Sequence, residues 1–327
     1  MRNKLNMVQA INLALDQEMA KDESVVAIGQ DIGVNGGVFR VTEGLYEKYG
    51  KDRVIDTPLA ESAILGTSIG MAIAGLKPVA EMQFSGFSYL MFGQLEGHAA
   101  RLRSRTQGAI SVPLVVRMPY GGGVRALEHH SESHEATYAH VPGVKVVIPS
   151  TPSNARALLV SAIRDPDPVI FMEPKRSYRA FREEVSEEEQ VMELGKARVV
   201  QEGTDLTVIS WGAMMRPTLQ AVAEAKARHG LSIEVIDLLT ISPMDGDTIA
   251  GSVAKTGRCV VVQEAPRSFG PSSEIIATIN HKALMYLEAP VRRVTGYDVA
   301  TPYFGRESAY IPTSSRIRRA IEETAEF

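Results

Sequence analysis

One carboxylate near the start of a small-sided helix is the first candidate for chemistry. The stretch Asp56-Thr57-Pro58-Leu59-Ala60-Glu61-Ser62 runs straight into Gly66-Thr67-Ser68-Ile69-Gly70-Met71-Ala72-Ile73-Ala74-Gly75. Thr57 can N-cap, and Pro58 suits the first helical position. Glu61 then falls in the first turns, where the helix dipole favours an anion. The spacing predicts a helix from Pro58 onward whose glycines and alanines let another backbone approach closely. A capped, buried helix with a favourable first-turn charge accounts for the same residues, so the segment alone does not assign chemistry.

Other motifs compete. Gly66-Thr67-Ser68-Ile69-Gly70 matches the Gly-x-Ser-x-Gly pattern of serine hydrolases, but a nucleophile elbow needs a strand immediately before the serine, and here the preceding residues look helical. A hydrolase using Ser68 stays open as an alternative. Ser252-Val253-Ala254-Lys255 followed by Thr256-Gly257 imitates two β-lactamase motifs that would have to share Lys255, which excludes them as separate elements. In His129-His130-Ser131-Glu132-Ser133-His134, with His140 beyond, His130 and His134 would share one face of a helix. The glutamate is misplaced for the zinc pattern His-Glu-x-x-His and no cysteine accompanies it. The other reading is that Pro119-Tyr120-Gly121-Gly122-Gly123 leads out of a strand and delivers one histidine into a cleft as acid, base or donor. Neither a Walker A sequence nor a Gly-x-Gly-x-x-Gly after a strand is present, and the chain has no Gly-Asp-Gly motif.

The elements that must position these residues alternate. Helical spacing of Val8, Ile11, Leu15 and Met19 precedes a buried strand at Val25-Val26-Ala27-Ile28 and a glycine-rich loop from Gly33 to Gly37. Comparable strands read at 78–82, 113–117, 144–148 and 168–171, with helix-like segments at 87–105 and 152–164. After the acidic run 183–189, read as a solvated linker, a second set follows at 206–209, 233–236, 259–262 and 291–294. Strands alternating with helices imply mostly parallel sheets covered on both faces, in two α/β domains joined near residue 190.

Composition agrees with that size. The 327 residues are 44% hydrophobic and 23% charged, enough for two globular domains. A net charge of -4 gives no broad attraction to nucleic acid or anionic membrane, although Arg101, Arg103 and Arg105 form a local basic run. The single cysteine, Cys259, lies in an apolar run, which excludes an intrachain disulfide and suits a reducing cytosol. The start, Met1 to Asn6, lacks the apolar core of a signal peptide, and no apolar run approaches membrane-spanning length. A soluble, unprocessed, cytoplasmic protein is the expectation.

Taken in order, a set of segments resembles one family. They are Gly29-Gln30-Asp31, Gly36-Gly37-Val38-Phe39-Arg40-Val41-Thr42-Glu43-Gly44-Leu45, the opening run Asp56 to Glu61, Glu81-Met82-Gln83-Phe84, His129-His130-Ser131, Pro142-Gly143-Val144-Lys145-Val146-Val147, Ala162-Ile163-Arg164-Asp165 and Thr256-Gly257-Arg258. The family is the beta subunit of the thiamine-diphosphate-dependent first component of 2-oxo acid dehydrogenase complexes, which act on pyruvate or branched-chain 2-oxo acids. The resemblance spans essentially the whole chain.

It implies an α/β fold of two domains with parallel or mixed sheets: a transketolase-like pyrimidine-binding domain over 1–190 and a transketolase C-terminal domain over 191–327. It also implies an α2β2 heterotetramer whose alpha subunit carries the Gly-Asp-Gly diphosphate and magnesium site that this chain lacks. The implied reaction is oxidative decarboxylation of a 2-oxo acid with acyl transfer to the lipoyl domain of the acyltransferase component. A non-catalytic, beta-like assembly subunit is the rival. By resemblance, Glu61 matches the glutamate that bonds the pyrimidine N1′ of thiamine, Leu59, Gln83 and Phe87 line the aminopyrimidine, and His130 is the active-site histidine that orients substrate and the lipoyl group. Val112, Leu114, Val115, Ala162, Asp165 and Asp167 match a structural potassium site. Gln30 stands where the family usually has glutamate, Gly93 where an aspartate is common and Ser104 where a tyrosine is common. Glu173-Pro174-Lys175-Arg176 leans toward branched-chain members, while Phe39-Arg40 and Tyr178-Arg179-Ala180-Phe181-Arg182 also occur in pyruvate members, so the substrate stays open.

Overall fold

The computed structural model describes residues 2–188 and 190–327. Met1, at the head of the N-terminal reading, and Glu189, at the end of the acidic run, lie outside the described residues. The chain divides into two compact units, the first comprising everything up to Tyr120 together with Thr137–Leu194, the second Gly121–Ala136 and Gly195–Phe327. No helix among the described residues is long and apolar enough to cross a membrane.

In chain order the first unit contains β1 (Arg2–Leu5), α1 (Met7–Lys21), β2 (Val25–Gln30), α2 (Leu45–Tyr49), β3 (Val54–Thr57), α3 (Glu61–Ile73), β4 (Lys77–Glu81), α4 (Phe92–Gly97), α5 (Leu102–Arg105) and β5 (Val115–Tyr120). After α6 (Glu135–Ala139) come β6 (Lys145–Val147), α7 (Pro152–Arg164), β7 (Val169–Pro174) and β8 (Glu183–Ser186). Its parallel strands run in the order β6-β7-β5-β4-β2-β3. Near-continuous Val, Ile and Ala runs make strands buried on both faces. α1 begins with a full capping box, the Asn6 side chain accepting from Gln9 N–H at 3.0 Å and the Gln9 side chain from Asn6 N–H at 3.2 Å. Thr151 caps α7 in the same way, ahead of Pro152 at its first position, and α1 and α7 lie against each other.

Three local expectations change. α3 starts at Glu61, not Pro58: Thr57 is the last residue of β3, paired with Gln30 of β2, and Ala60 precedes the helix without a side-chain cap. A residue before proline is pushed toward extended backbone, which suits cap and strand alike, and the pairing with Gln30 makes Thr57 a strand residue. The segment 87–105 is not one helix but short turns, with a 3-10 piece at Ser88–Met91 before α4 and another at Ala99–Arg101 between α4 and α5. Gly93 and Gly97 weaken any longer helix there. The acidic run is not a solvated linker, since Glu183–Ser186 is β8, antiparallel to β1, with Glu183 accepting Ser153 N–H at 2.6 Å.

The polar end of this sheet is organised around one cation. Arg117 in β5 is 2% exposed, donating from Nη1 to Glu81 of β4 at 2.7 Å and from Nε and Nη2 to Glu173 of β7 at 2.7 and 3.0 Å. Tyr178 donates its hydroxyl to the same Glu173 carboxylate. Burial raises the Glu81 carboxyl above its usual range, and Arg117 opposes that shift.

The second unit contains β9 (Arg198–Gln201), β10 (Leu206–Ser210), α8 (Met215–His229), β11 (Ile233–Asp237), β12 (Thr240–Ser242), α9 (Gly246–Thr256), β13 (Cys259–Val262), α10 (Pro271–Ala283), β14 (Arg292–Val294), α11 (Glu307–Tyr310) and α12 (Ser314–Ala325). Its sheet runs β14-β13-β10-β11-β9, parallel except for the edge strand β9. Val208, Val235, Val260 and Val262 meet Val222 of α8 and Ile317 and Ile321 of α12 in the core. Cys259 is wholly buried there, and burial pushes its thiol well up, so it is an inert core residue.

Replacing Arg117 with methionine leaves two facing buried carboxylates without their cation. The expected cost is about 3–5 kcal/mol, read as a lower urea midpoint; an unchanged midpoint would show that the carboxylates do not depend on it.

Candidate functional site

In the first unit the candidate residues gather where parallel strands end, the edge at which open parallel sheets bind ligands. β2 ends at Gln30 and leads into Asp31, β3 leads into Leu59 and Glu61, and β4 leads into Gln83. Asp56 at the end of β3 accepts Gly33 N–H at 2.6 Å and Val34 N–H at 3.2 Å, which pins the glycine-rich loop to the sheet. A Cβ on Gly33 would lie 2.5 Å from the Asp56 carboxylate, so glycine is required for that approach. The Gln83 amide donates to Asp31 at 3.1 Å. Buried Phe84 meets Phe39 and half-buried Phe87 edge-on, at centroid distances of 5.7 and 6.1 Å.

Glu61 is the first residue of α3 and only 7% exposed, yet no hydrogen bond or ion pair to its carboxylate occurs among the described residues. It lines an open groove of about 660 Å³ with Leu59, Ala60, Ser62, Ala63, Gly66, Thr67, Leu90 and Gln94. Leu59, 67% exposed, and Glu61 therefore share one groove; Gln83 and Phe87 belong to the loop after β4 and do not line it. Ser68 cannot be an elbow nucleophile: it sits in mid-helix, wholly buried, and donates to the Ile64 carbonyl at 2.7 Å.

The six residues matched to a cation site collect at the start of β5 and the end of α7. The Leu114 carbonyl accepts Val169 N–H at 2.9 Å and the Ala162 carbonyl accepts Asp165 N–H at 3.3 Å, which leaves each a second lone pair. Lys145 reaches Asp165 at 2.6 Å and Arg103 reaches Asp167 at 2.5 Å. Val112 and Val115 are buried beside them. No cluster of three or more His, Cys, Asp or Glu able to hold a metal occurs among the described residues.

In the second unit His129, His130 and His134 lie on the segment Gly121–Ala136, while His140 falls in the first unit. His130 and His134 share no helix face, because helix begins only at Glu135. The His130 Nδ1 stands 2.7 Å from the Glu128 carbonyl. A carbonyl only accepts, so Nδ1 is the donor in this contact. The Glu132 carboxylate accepts the N–H groups of His129 and Ser131, both at 3.0 Å.

Residues 3–180 match the family model "Transketolase, pyrimidine binding domain", and 195–317 match "Transketolase, C-terminal domain". The pyruvate dehydrogenase E1 component subunit beta of Acholeplasma laidlawii is 52% identical over 98% of both chains, and that of Bacillus subtilis (strain 168) 49% identical over 99% of both. The chain belongs to this family of E1 beta subunits. A solved split-gene transketolase, described as an inactive beta4 tetramer, has a TM-score of 0.80 over 99% of each chain; at 19% identity it shows the shared fold. The family reading of the sequence is borne out, and with it the two transketolase-type domains.

Sequence reasoning missed several residues around these sites. Arg117, Glu264 and Glu307 are buried charges that a sequence writes no differently from surface ones. Glu135, wholly buried, was hidden among the histidines; its Oε1 accepts from Trp211 Nε1 at 3.4 Å and its Oε2 has no partner among the described residues. Burial, reinforced by the charge of Glu264, pushes its carboxyl from the usual 4.5 up to about 7. A raised carboxyl pKa means the folded chain holds a proton that the unfolded chain releases. The associated stability is complete below about pH 4.5 and is lost as pH rises through about 7. Glu135→Gln should therefore gain stability relative to wild type between pH 5 and 8, by on the order of 3 kcal/mol. Melting curves across that range check it, and a constant difference would show that Glu135 does not titrate there.

Proposed function

We propose that this chain supplies the pyrimidine-activating half of a 2-oxo acid dehydrogenase active site, with Glu61 as its catalytic carboxylate. As an E1 beta subunit it serves a thiamine-diphosphate-dependent oxidative decarboxylation of a 2-oxo acid. The observation that carries the assignment is the buried Glu61 carboxylate at the carboxyl edge of the sheet, without a partner among the described residues. An acceptor in that state fits a ring N–H, and a charge-assisted bond formed away from water is strong. When bound, thiamine diphosphate supplies the electron sink for loss of carbon dioxide. The chain's own residues would hold and orient it: Glu61 would bond the pyrimidine N1′, Leu59 and Phe87 would offer apolar contact to the ring, and Gln83 would contribute its amide. His130 would orient substrate and lipoyl group and move a proton during acyl transfer.

In this reading residues 1–190 are the pyrimidine-binding domain and 191–327 the C-terminal domain. An alpha subunit completes an α2β2 heterotetramer and holds the diphosphate and magnesium, a lipoyl acyltransferase takes the acyl group, and the assembly works in the cytoplasm. The exposed face of α3 supports a partner chain: a Cβ at Gly70 would meet nothing within 4 Å among the described residues. Assembled with its alpha subunit, Glu61→Ala should decarboxylate pyruvate or 3-methyl-2-oxobutanoate at least about 100-fold more slowly than wild type. A wild-type rate would leave the chain a structural beta-like subunit. The ratio of kcat/KM for the two substrates in the wild-type tetramer identifies which 2-oxo acid it takes.

We further propose that Val112, Leu114, Val115, Ala162, Asp165 and Asp167 hold a structural potassium ion, for which carbonyl and carboxylate oxygens are suitable hard ligands. The melting temperature should then be higher in potassium than in sodium chloride at equal ionic strength, and Asp165→Asn should abolish the difference. Equal melting in both salts would remove the ion from the site.

A further inference from the structure

The segment that carries His130 lies in sequence between β5 and β6, yet it belongs to the second unit and is held there by buried glutamates from far along the chain. Glu264, which follows β13, is 5% exposed and accepts the N–H of Gly122. Glu307, the first residue of α11, is 3% exposed. One of its oxygens accepts Arg125 N–H at 2.9 Å, and the other accepts the Ser131 hydroxyl at 3.3 Å. A single carboxylate thus closes the loop on both sides of His130.

The approach is close. A Cβ on Gly121 would stand 3.0 Å from the Glu264 carboxylate, and one on Gly122 would stand 2.7 Å from that of Glu307. Within the loop Arg125 and His129 adopt φ of +55° and +64°, values that side chains rarely take. Such conformations persist only where the surroundings enforce them. The Arg125 N–H bonded to Glu307 and the His129 N–H bonded to Glu132 are that enforcement. Because a buried carboxylate must be satisfied by donors, Glu307 and the loop fix each other.

We infer that Glu307 is a positioning residue for His130, bracketing the loop Arg125–Ser131 so that the imidazole is held in one orientation, with Glu264 anchoring its entry at Gly122. The catalytic consequence rests on the reading of His130 given above; the structural consequence does not.

The test uses the assembled tetramer with its alpha subunit. Without the bracket, trypsin should cut after exposed Arg125 about tenfold or more faster in Glu307→Ala than in wild type. Glu307→Gln, whose amide oxygen can still accept Arg125 N–H, should recover part of the protection, and it carries the test should the alanine variant fail to fold. Acyl transfer to a lipoyl domain should fall by about tenfold in Glu307→Ala but by less than about twofold when the same change is made on His130→Ala, because residues acting as a unit are not additive. Unchanged cleavage at Arg125, or a full additional loss on the His130→Ala background, would overturn the inference. If His130→Ala alone leaves acyl transfer intact while cleavage is accelerated, the bracket stands and the role given to His130 falls.

Discussion

A charge buried where parallel strands end has to find its counterpart among the loops that leave the same edge, because water cannot reach it. Arg117 meets this demand with Glu81 and Glu173 from the strands on either side, and the cluster joins three strands just before the loop that carries Gln83. In the second unit Glu264 and Glu307 meet it with backbone N–H groups and a serine hydroxyl from the histidine segment. Glu61, nearly as buried but lining an open groove, has no hydrogen-bond or ion-pair partner among the described residues. Two of these arrangements are complete and one is open. On the proposed reading, the open one is where a ligand would contribute a donor.

The same requirement explains where glycine is indispensable. Gly33 and Gly122 stand where a carboxylate closes on the backbone, and any side chain would occupy the space of the accepting oxygen. Asp56 and Glu307 thereby do similar work: each accepts donors from a loop that has no regular structure of its own and turns it into a fixed wall. Loops at the carboxyl edge are free to vary because the sheet beneath them is not. What makes them precise is a short list of buried acceptors.

Much of the sheet architecture was legible because buried parallel strands are written as runs of Val, Ile and Ala. Core strands such as β2, β10, β11 and β13 can be seen without any knowledge of their neighbours. Glu61, Gln83 and His130 could be singled out because they fall in ordered motifs along the whole chain. What depends on distant pairing was not legible. β8 looked like an acidic linker because its partner β1 lies at the opposite end of the first unit's sequence, and strand propensity reflects such context. Glu264 and Glu307 gave no signal for the same reason: their partners Gly122 and Arg125 are 142 and 182 residues away. The helix start at α3 failed more locally, since Thr57 had two possible roles and its pairing with Gln30 decided for the strand.

The small residues of α3 complete the case for reading Glu61 as half of something. Its buried stripe, Ile64, Leu65, Ser68, Ile69 and Ala72, is that of an ordinary amphipathic helix and accounts for its attachment to the sheet. The opposite stripe, Ser62, Ala63, Gly66, Thr67, Gly70 and Ile73, faces outward, and packing within the chain does not require glycine at either position. Glycine inside a helix costs roughly 1 kcal/mol relative to alanine, and no gain within this chain offsets that cost at Gly66 or Gly70. A helix that gives up stability for a smooth outer face, and places an unpartnered carboxylate at its first residue, is shaped for a surface that lies outside the chain. That is the face an alpha subunit would have to cover for Glu61 to work away from water.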